Sequence, residues 1–214
     1  FSFCQDKIMT CGGEGGMFLC DDEEIYKRCW SYTEHGKSLD AIARNDQLAG
    51  FHWLIESFGT NWRITEMQAA IGRCQLKKLD SWVESRRKNA KAITEGLKDI
   101  SCIRIPKPTE DIYHSYYKFY VIVKPECLKS GWNRNRIMKE INKSGLPCGV
   151  GACGEIYREK AFRDFFKNDN PECLPNAVNL EETTLMLVVH PTMTEQNVRG
   201  SIAIIREVLL AAQN

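Results

Sequence analysis

Apolar and polar positions follow different rhythms in the two halves of this chain. Gly15–Cys20, "GGMFLC", is a short apolar run behind glycines and predicts a buried strand. The acidic start Asp21-Asp22-Glu23-Glu24 opens a helix-prone stretch through Trp30, and residues 35–60 mix glycines with changing polarity, as loops and short turns do. In "TEMQ", Thr65 and Gln68 are spaced as a capping box, in which each side chain satisfies the other's backbone N–H. Met67, Ala70, Ile71 and Cys74 then recur at helical spacing. The helical pattern restarts at Asp80 and runs through "SWVESRRKNAKAITEGLKD". Together these stretches exceed a typical globular helix, a length that suits a bridge between two lobes.

Beyond "SCIRIPKP", an extended segment punctuated by proline, the pattern changes. Residues 117–124, "YKFYVIVK", are β-branched and aromatic and form the clearest strand in the sequence. "WNRNRIMKEINKSG" predicts an amphipathic helix ending at Gly145. "LMLVVHP" (185–191) predicts a strand stopped by Pro191, and a closing helix begins at Thr194 as N-cap. The order strand, helix, loop, strand, helix describes an α+β lobe.

Composition narrows the function classes. The chain has 214 residues, of which 43% are hydrophobic and 27% charged, with a formal net charge of +1. That balance fits a soluble globular protein and gives no bulk attraction to nucleic acid or anionic lipid. No apolar run approaches the ~20 residues that cross a bilayer, and the start lacks the basic-then-apolar order of a secretory leader. The expectation is a cytoplasmic protein without nucleic-acid or membrane partners. Ten cysteines and four histidines show no C-x-x-C pair and no zinc-ligand spacing, so no metal site is expected. Reduced structural thiols are expected instead, with Cys20 and Cys74 serving as small hydrophobes.

Lys7 is the first candidate for chemistry. A lysine is nucleophilic only as the free amine, and this one lies between "FSF" and the glycine-rich "GGEGG" that permits close backbone approach to a ligand. On spacing alone, a solvated surface lysine beside a tight turn reads equally well.

Taken together, "SFCQDKIMTCGGEGG", "HG" at 35–36, "GTNWRITEMQAAIGRCQLKKLD" at 59–80, "RRKNA", "YHSYYKFYVIV", "CGEIYREKAF" and "LPNAVNLEETTLMLVVHPTMTEQNV" resemble one family in order along the chain. It is the pyridoxal-phosphate-dependent sugar-nucleotide aminotransferases of the DegT/DnrJ/EryC1/StrS type. The resemblance implies an α/β fold, the C-terminal part of a fold-type-I PLP-dependent transferase. Residues 1–85 would complete the large cofactor-binding domain, and residues 86–214 would form a small α+β domain. It also implies that this chain is the C-terminal portion of a longer enzyme whose other cofactor contacts lie upstream. By itself it would then bind the cofactor weakly or not at all, and could be an inactive folding or dimerisation fragment. An apolar face at 15–20 would be left exposed.

The same resemblance implies roles for residues. Lys7 would hold pyridoxal 5′-phosphate covalently and then shuttle a proton; relatives that dehydrate sugars carry histidine there, so lysine implies transamination. Asn61 would donate to the cofactor phosphate across a homodimer interface, or else be a turn-forming asparagine. Arg63 would meet an anionic substrate group, or else form an ordinary salt bridge. His114 and Tyr157 would touch substrate, although each could be structural, as could His35 and His190. The expected substrates are an amino donor such as glutamate and a nucleotide-linked keto-hexose destined for surface polysaccharide. Cys148, Cys153, Glu155 and Tyr157 replace the His-Tyr-rich pocket segment of many members, which leaves the sugar open.

Overall fold

The computed structural model describes residues 1–44, 54–162, 164–166 and 171–214. The chain separates into two compact units, Phe1–Leu79 and Asp80–Asn214. In the first unit, helix α1 (Glu23–Thr33) begins where Asp22 accepts from the Ile25 amide and two glutamates complement the positive helix end. Short α2 (Leu39–Arg44) follows; the part of the predicted 35–60 loop at 45–53 lies outside the described residues. Helix α3 (Glu66–Leu76) opens with the expected capping box of Thr65 and Gln68. The helical run breaks at Lys77 and Lys78 before α4 (Leu79–Leu97).

Two expectations for this unit fail. Residues 15–20 do not form a strand, with a single bridge joining Ser2 to Gly16; Met17, Phe18, Leu19 and Cys20 are exposed, which agrees with the exposed apolar face that the resemblance implies here. Residues 1–3 do run beside 15–17, with Phe3 N donating to Gly15 O at 2.8 Å and Met17 N to Phe1 O at 2.9 Å, but this pairing is too short to make a strand of the run. The apolar positions of α3 likewise face outward: Met67 is 77% exposed, and Ile71, Cys74 and Leu76 are exposed too. What α3 buries is Gly72, set against the Cys11 sulfur. All ten cysteines are free, as expected, but Cys20 and Cys74 are not core residues.

The second unit is built on an antiparallel four-stranded sheet. Its strands are β1 (Ile103–Arg104), β2 (Phe119–Val123), β3 (Cys148–Val150) and β4 (Thr184–Leu187), in the spatial order β1-β2-β4-β3. Register pairs Phe119 with Leu187 and Val121 with Leu185. The period-two alternation of β2 buries Phe119, Val121 and Val123 while Tyr120 is exposed. These residues share one core with Ala90, Ile93 and Leu97 of α4, Ile137 and Ile141 of α5 (Arg134–Lys143), and Val198, Ile205 and Leu209 of α7 (Glu195–Ala212). Thr194 caps α7, as predicted, within a reciprocal capping box with Asn197. The predicted 185–191 strand starts one residue earlier and stops at Leu187. Edge strand β3 and helix α6 (Pro175–Thr183) had no clear sequence signal.

Asp99, just past α4, binds Arg206 of α7 through two hydrogen bonds of 2.5 and 2.8 Å, and the guanidinium holds its carboxyl down to about 2. A depressed carboxylate stabilises the fold above its unfolded value and stops doing so as pH falls through the folded one. Asp99→Asn is therefore expected to flatten the acid side of the stability profile between about pH 4 and pH 2, read by melting temperature against pH. Phe119→Ala empties the core centre and is expected to cost about 3–5 kcal/mol in a denaturant titration, whereas Ile156→Ala, at an exposed position, stays within about 0.5 kcal/mol.

Candidate active site

Lys7 stands on a loop folded back on itself by backbone hydrogen bonds. The Phe3 amide donates to Gly15 O at 2.8 Å, Cys11 N to Phe3 O at 3.2 Å, and Lys7 N to Cys4 O at 3.1 Å. Gly12 and Gly13 take positive φ, which the turn requires and an L side chain disfavours. Lys7 is half-buried. Three residues on, the Thr10 hydroxyl is buried with no hydrogen-bond partner among the described residues. An unpaired buried hydroxyl costs about 1–3 kcal/mol and points to a polar group that would complete it.

Asn61 and Arg63 lie on a second construction in the same unit. The segment 31–36 is laced to 57–62 by backbone bonds: Thr60 N to Tyr32 O at 2.7 Å, His35 N to Thr60 O at 3.0 Å, and Trp62 N to Thr33 O at 3.2 Å. The approach is so close that a Cβ on Gly36, at φ +82°, would lie 1.8 Å from Ser57 O. His35 itself takes φ +64°. In this extended segment Asn61 and Arg63 share a face, with Trp62 turned onto the edge of Tyr32, ring centroids 5.2 Å apart. Arg63 Nε donates to Asn61 Oδ1 at 2.9 Å, and its Nη1 lies 3.4 Å from Glu34 Oε2. Two of the predicted residues, Asn61 and Arg63, are thus joined by a direct bond.

His114 belongs to a loop of the second unit that two arginines of α4 hold by its carbonyls. Arg87 Nη1 donates to His114 O at 2.8 Å. Arg86 is 5% exposed, and its Nη1 gathers the carbonyls of Tyr116 at 3.2 Å, Tyr117 at 3.1 Å and Val189. Burial pushes the Arg86 guanidinium's pKa down. His114 Nδ1 accepts from the Tyr116 amide at 3.1 Å, so the neutral ring's proton is on Nε2. Tyr116 pays for this arrangement with φ +48°. A cavity of about 240 Å³ opens beside the loop, lined among others by Lys107, His114, Tyr116, Lys118 and Tyr120. His190, at the other end of the Arg86 cluster, is shifted down by burial and then by Arg86; its Nδ1 contacts the Thr192 hydroxyl at 2.7 Å.

Tyr157 is placed apart from that cavity. Its hydroxyl bonds Glu155 Oε1 and lies 3.1 Å from Glu172 O, while the Leu174 amide donates to the same Oε1 at 2.6 Å and Arg158 Nε approaches Oε2 at 2.5 Å. The phenol and the amide hold the Glu155 carboxyl below its usual range; burial, then Glu155, pushes the Tyr157 hydroxyl up. The hydroxyl is thus committed to tying Glu155 and Glu172 together. Cys153 is exposed, and burial raises the Cys148 thiol to about 11.

The chain matches the DegT/DnrJ/EryC1/StrS aminotransferase family over residues 1–206 and belongs to that family. Its mixed helix–sheet fold is that of aminotransferase structures over its whole length. It superposes on an aminotransferase from Psychrobacter cryohalolentis with 43% identity and a TM-score of 0.89, covering 100% of this chain and 56% of that one. It is similar to Escherichia coli GDP-4-keto-6-deoxy-D-mannose-3-dehydratase with bound hydrated PLP, at 27% identity and a TM-score of 0.75, over 98% of this chain and 53% of that one. The spore coat polysaccharide biosynthesis protein SpsC of Bacillus subtilis (strain 168) is 27% identical across 99% of this chain and 54% of its own. The chain spans about half the length of the curated relatives it matches.

The described residues fit a phosphate-bearing aldehyde cofactor: a half-buried amine at Lys7, a buried hydroxyl without a partner at Thr10, and the side-chain amide of Asn61. Thr10, Glu34 and Arg86 were not singled out from the sequence. Thr10 follows Lys7 in "KIMT" and was within reach of the same reasoning; the other two take their meaning from partners distant in the chain. Arg86→Met strips three carbonyls of their donor and is expected to destabilise the second unit by about 3 kcal/mol, measured by denaturant unfolding.

Proposed function

We propose that the protein transfers an amino group, from glutamate or a similar amino acid, to the keto carbon of a nucleotide-linked hexose, using pyridoxal phosphate. The observation that carries this reading is the family match over residues 1–206 with lysine at position 7 of the glycine-built loop. When bound, that cofactor supplies the electron sink that makes the amino-bearing carbon acidic. Lys7 holds the cofactor covalently through Nζ. Displaced from that bond by the donor's amine, Nζ would take the proton from the donor's α-carbon and pass it to the cofactor's C4′, general acid–base work by a group kept in place by its own loop. Lysine rather than histidine at this position favours transamination over sugar dehydration.

Asn61 donates to the cofactor phosphate, and Arg63 to an anionic group. His114 presents Nε2–H as a donor to substrate, next to Lys107 and Lys118 in the same cavity. Tyr157 contributes its ring, since its hydroxyl is engaged with Glu155. The two units carry these parts as a large-domain portion and a small α+β domain, near the 85/86 division the sequence suggests. The protein works as a homodimer, for which the exposed Phe18, Phe58 and Met67 are support. Nothing metallic is required, and among the described residues no helix is long and apolar enough to cross a membrane. The relation to a spore coat polysaccharide biosynthesis protein supports amino-sugar supply for surface polysaccharide, work that this reading places in the cytoplasm.

A second reading for residues 1–214 in isolation is that alone they hold the cofactor poorly and are inactive; that the chain spans about half the length of its curated relatives supports it. A visible absorbance band on the isolated chain that vanishes in Lys7→Ala would exclude that reading.

In the full-length protein, borohydride reduction with pyridoxal phosphate is expected to add one adduct, mapped by intact mass and peptide sequencing to Lys7. Lys7→Ala is expected to lose the adduct and at least about 10²-fold of its transaminase rate with a nucleotide keto-sugar and glutamate. An adduct elsewhere, or turnover preserved in Lys7→Ala, overturns the assignment.

A further inference from the structure

We infer that Glu34 and Arg63 act as positioning residues that aim the Asn61 amide at an oxyanion. An asparagine side chain is ambiguous by shape, since its oxygen and nitrogen exchange places on a half-turn. Here the ambiguity is settled by chemistry: Arg63 Nε has only a hydrogen to offer, so the Asn61 atom 2.9 Å from it is the accepting oxygen. The Nδ2 group is thereby turned away from Arg63, and among the described residues it meets no acceptor. Arg63 is itself oriented from behind. Its Nη1 lies 3.4 Å from Glu34 Oε2, and the Glu34 side chain is only 14% exposed while that of Arg63 is 52% exposed.

The backbone fixes the distances in this relay. Glu34 pairs with Asn61 through an antiparallel bridge, one residue from the Trp62–Thr33 hydrogen bond. The carboxylate, the guanidinium and the amide are therefore carried on one short two-stranded ladder, locked where Gly36 admits the Ser57 carbonyl. Arg63 meets its two neighbours through different nitrogens, Asn61 through Nε and Glu34 through Nη1, and its side chain stays 52% exposed. The ladder therefore carries two kinds of donor close together, the neutral Asn61 amide N–H and the cationic guanidinium of the exposed Arg63. Acidic ligands of the phosphate-monoester type match that pair in charge and in hydrogen-bonding capacity. Glu34 keeps the cation in place; without it, Arg63 is free to rotate and its claim on Asn61 Oδ1 lapses.

Resting on the function proposed above, the oxyanion is the phosphate of pyridoxal phosphate, and Glu34 contributes to holding it without touching it. A nucleotide-sugar diphosphate has the same chemistry, so the experiment separates the two. In the full-length protein, dissociation constants for pyridoxal phosphate, for pyridoxal without its phosphate, and for a nucleoside diphosphate are measured on wild type, Glu34→Gln, Asn61→Ala and Lys7→Ala.

Glu34→Gln is expected to weaken pyridoxal phosphate about tenfold while pyridoxal and the nucleoside diphosphate bind as before. Asn61→Ala is expected to give the same selective loss, and combining the two changes is expected to add little more, since both act on one donor. The melting temperature of Glu34→Gln should stay near wild type, because an ion pair with so exposed a partner adds little stability. Equal weakening of pyridoxal and pyridoxal phosphate would overturn the inference, as would unchanged binding of both. A loss confined to the nucleoside diphosphate would overturn it too, and would assign the ladder to substrate. The Lys7→Ala arm is independent: loss of the covalent adduct there, with Glu34→Gln unaffected, refutes the relay and leaves the proposed function standing.

Discussion

Arg86 buries a charged guanidinium among the carbonyl oxygens of Tyr116, Tyr117 and Val189, with no carboxylate beside it among the described residues. An arrangement of that kind persists only if the carbonyls are worth more to the cation than water was. Much of the second unit is tied together by this one group, whose Nη1 donates to all three carbonyls while its buried Nε has no hydrogen-bond partner among the described residues. The first carbonyls belong to the loop entering β2, the last to the segment leaving β4, and the guanidinium is on α4. Asn89, one turn further along α4, extends the tie by donating to His190 O at 3.0 Å. The helix is thus bonded to both central strands at the end of the sheet where His114 is displayed.

Hydrophobic burial supplies the rest of the cohesion. The alternation of β2 and the helical spacing of Ala90, Ile93 and Leu97 meet in one core, with α5 and α7 contributing to the same cluster. Burying side chains of this size stabilises by about 1.5–3 kcal/mol each before chain entropy is subtracted. Apolar packing has no direction, however, and leaves loop carbonyls and amides to be paired one by one. Arginine suits that work: one nitrogen of Arg86 serves three oxygens and Arg87 a fourth, from side chains that carry donors and no acceptor.

The first unit is held in another way. Its apolar residues are largely outside, and the backbone bonds of the Lys7 loop and of the 31–36 and 57–62 ladder carry the structure there. Such scaffolding fixes short distances well, as between the Asn61 amide and the Arg63 guanidinium, 2.9 Å apart. It also sets the Glu34 carboxylate 3.4 Å from the Arg63 guanidinium, on the ladder where Glu34 bridges to Asn61.

Much of the fold was legible in the chain alone. Both threonine caps, the β2 strand, α4, α5 and α7 are written in local chemistry: a side-chain oxygen three residues before its partner, or apolar residues at period two or near 3.6. Family order along the chain also marked Lys7, Asn61 and Arg63. Local pattern misled at Gly15–Cys20 and along α3, where apolar residues at strand or helix spacing turned out exposed, because spacing states that a face is apolar and not what covers it. Only the tertiary structure revealed that Arg86 serves three carbonyls, that Tyr157 gives its hydroxyl to Glu155, and that Glu34 reaches Asn61 through Arg63. Those facts depend on where a distant or opposed segment places its polar atoms, and a hydrogen bond is decided by tenths of an ångström that no sequence spacing records.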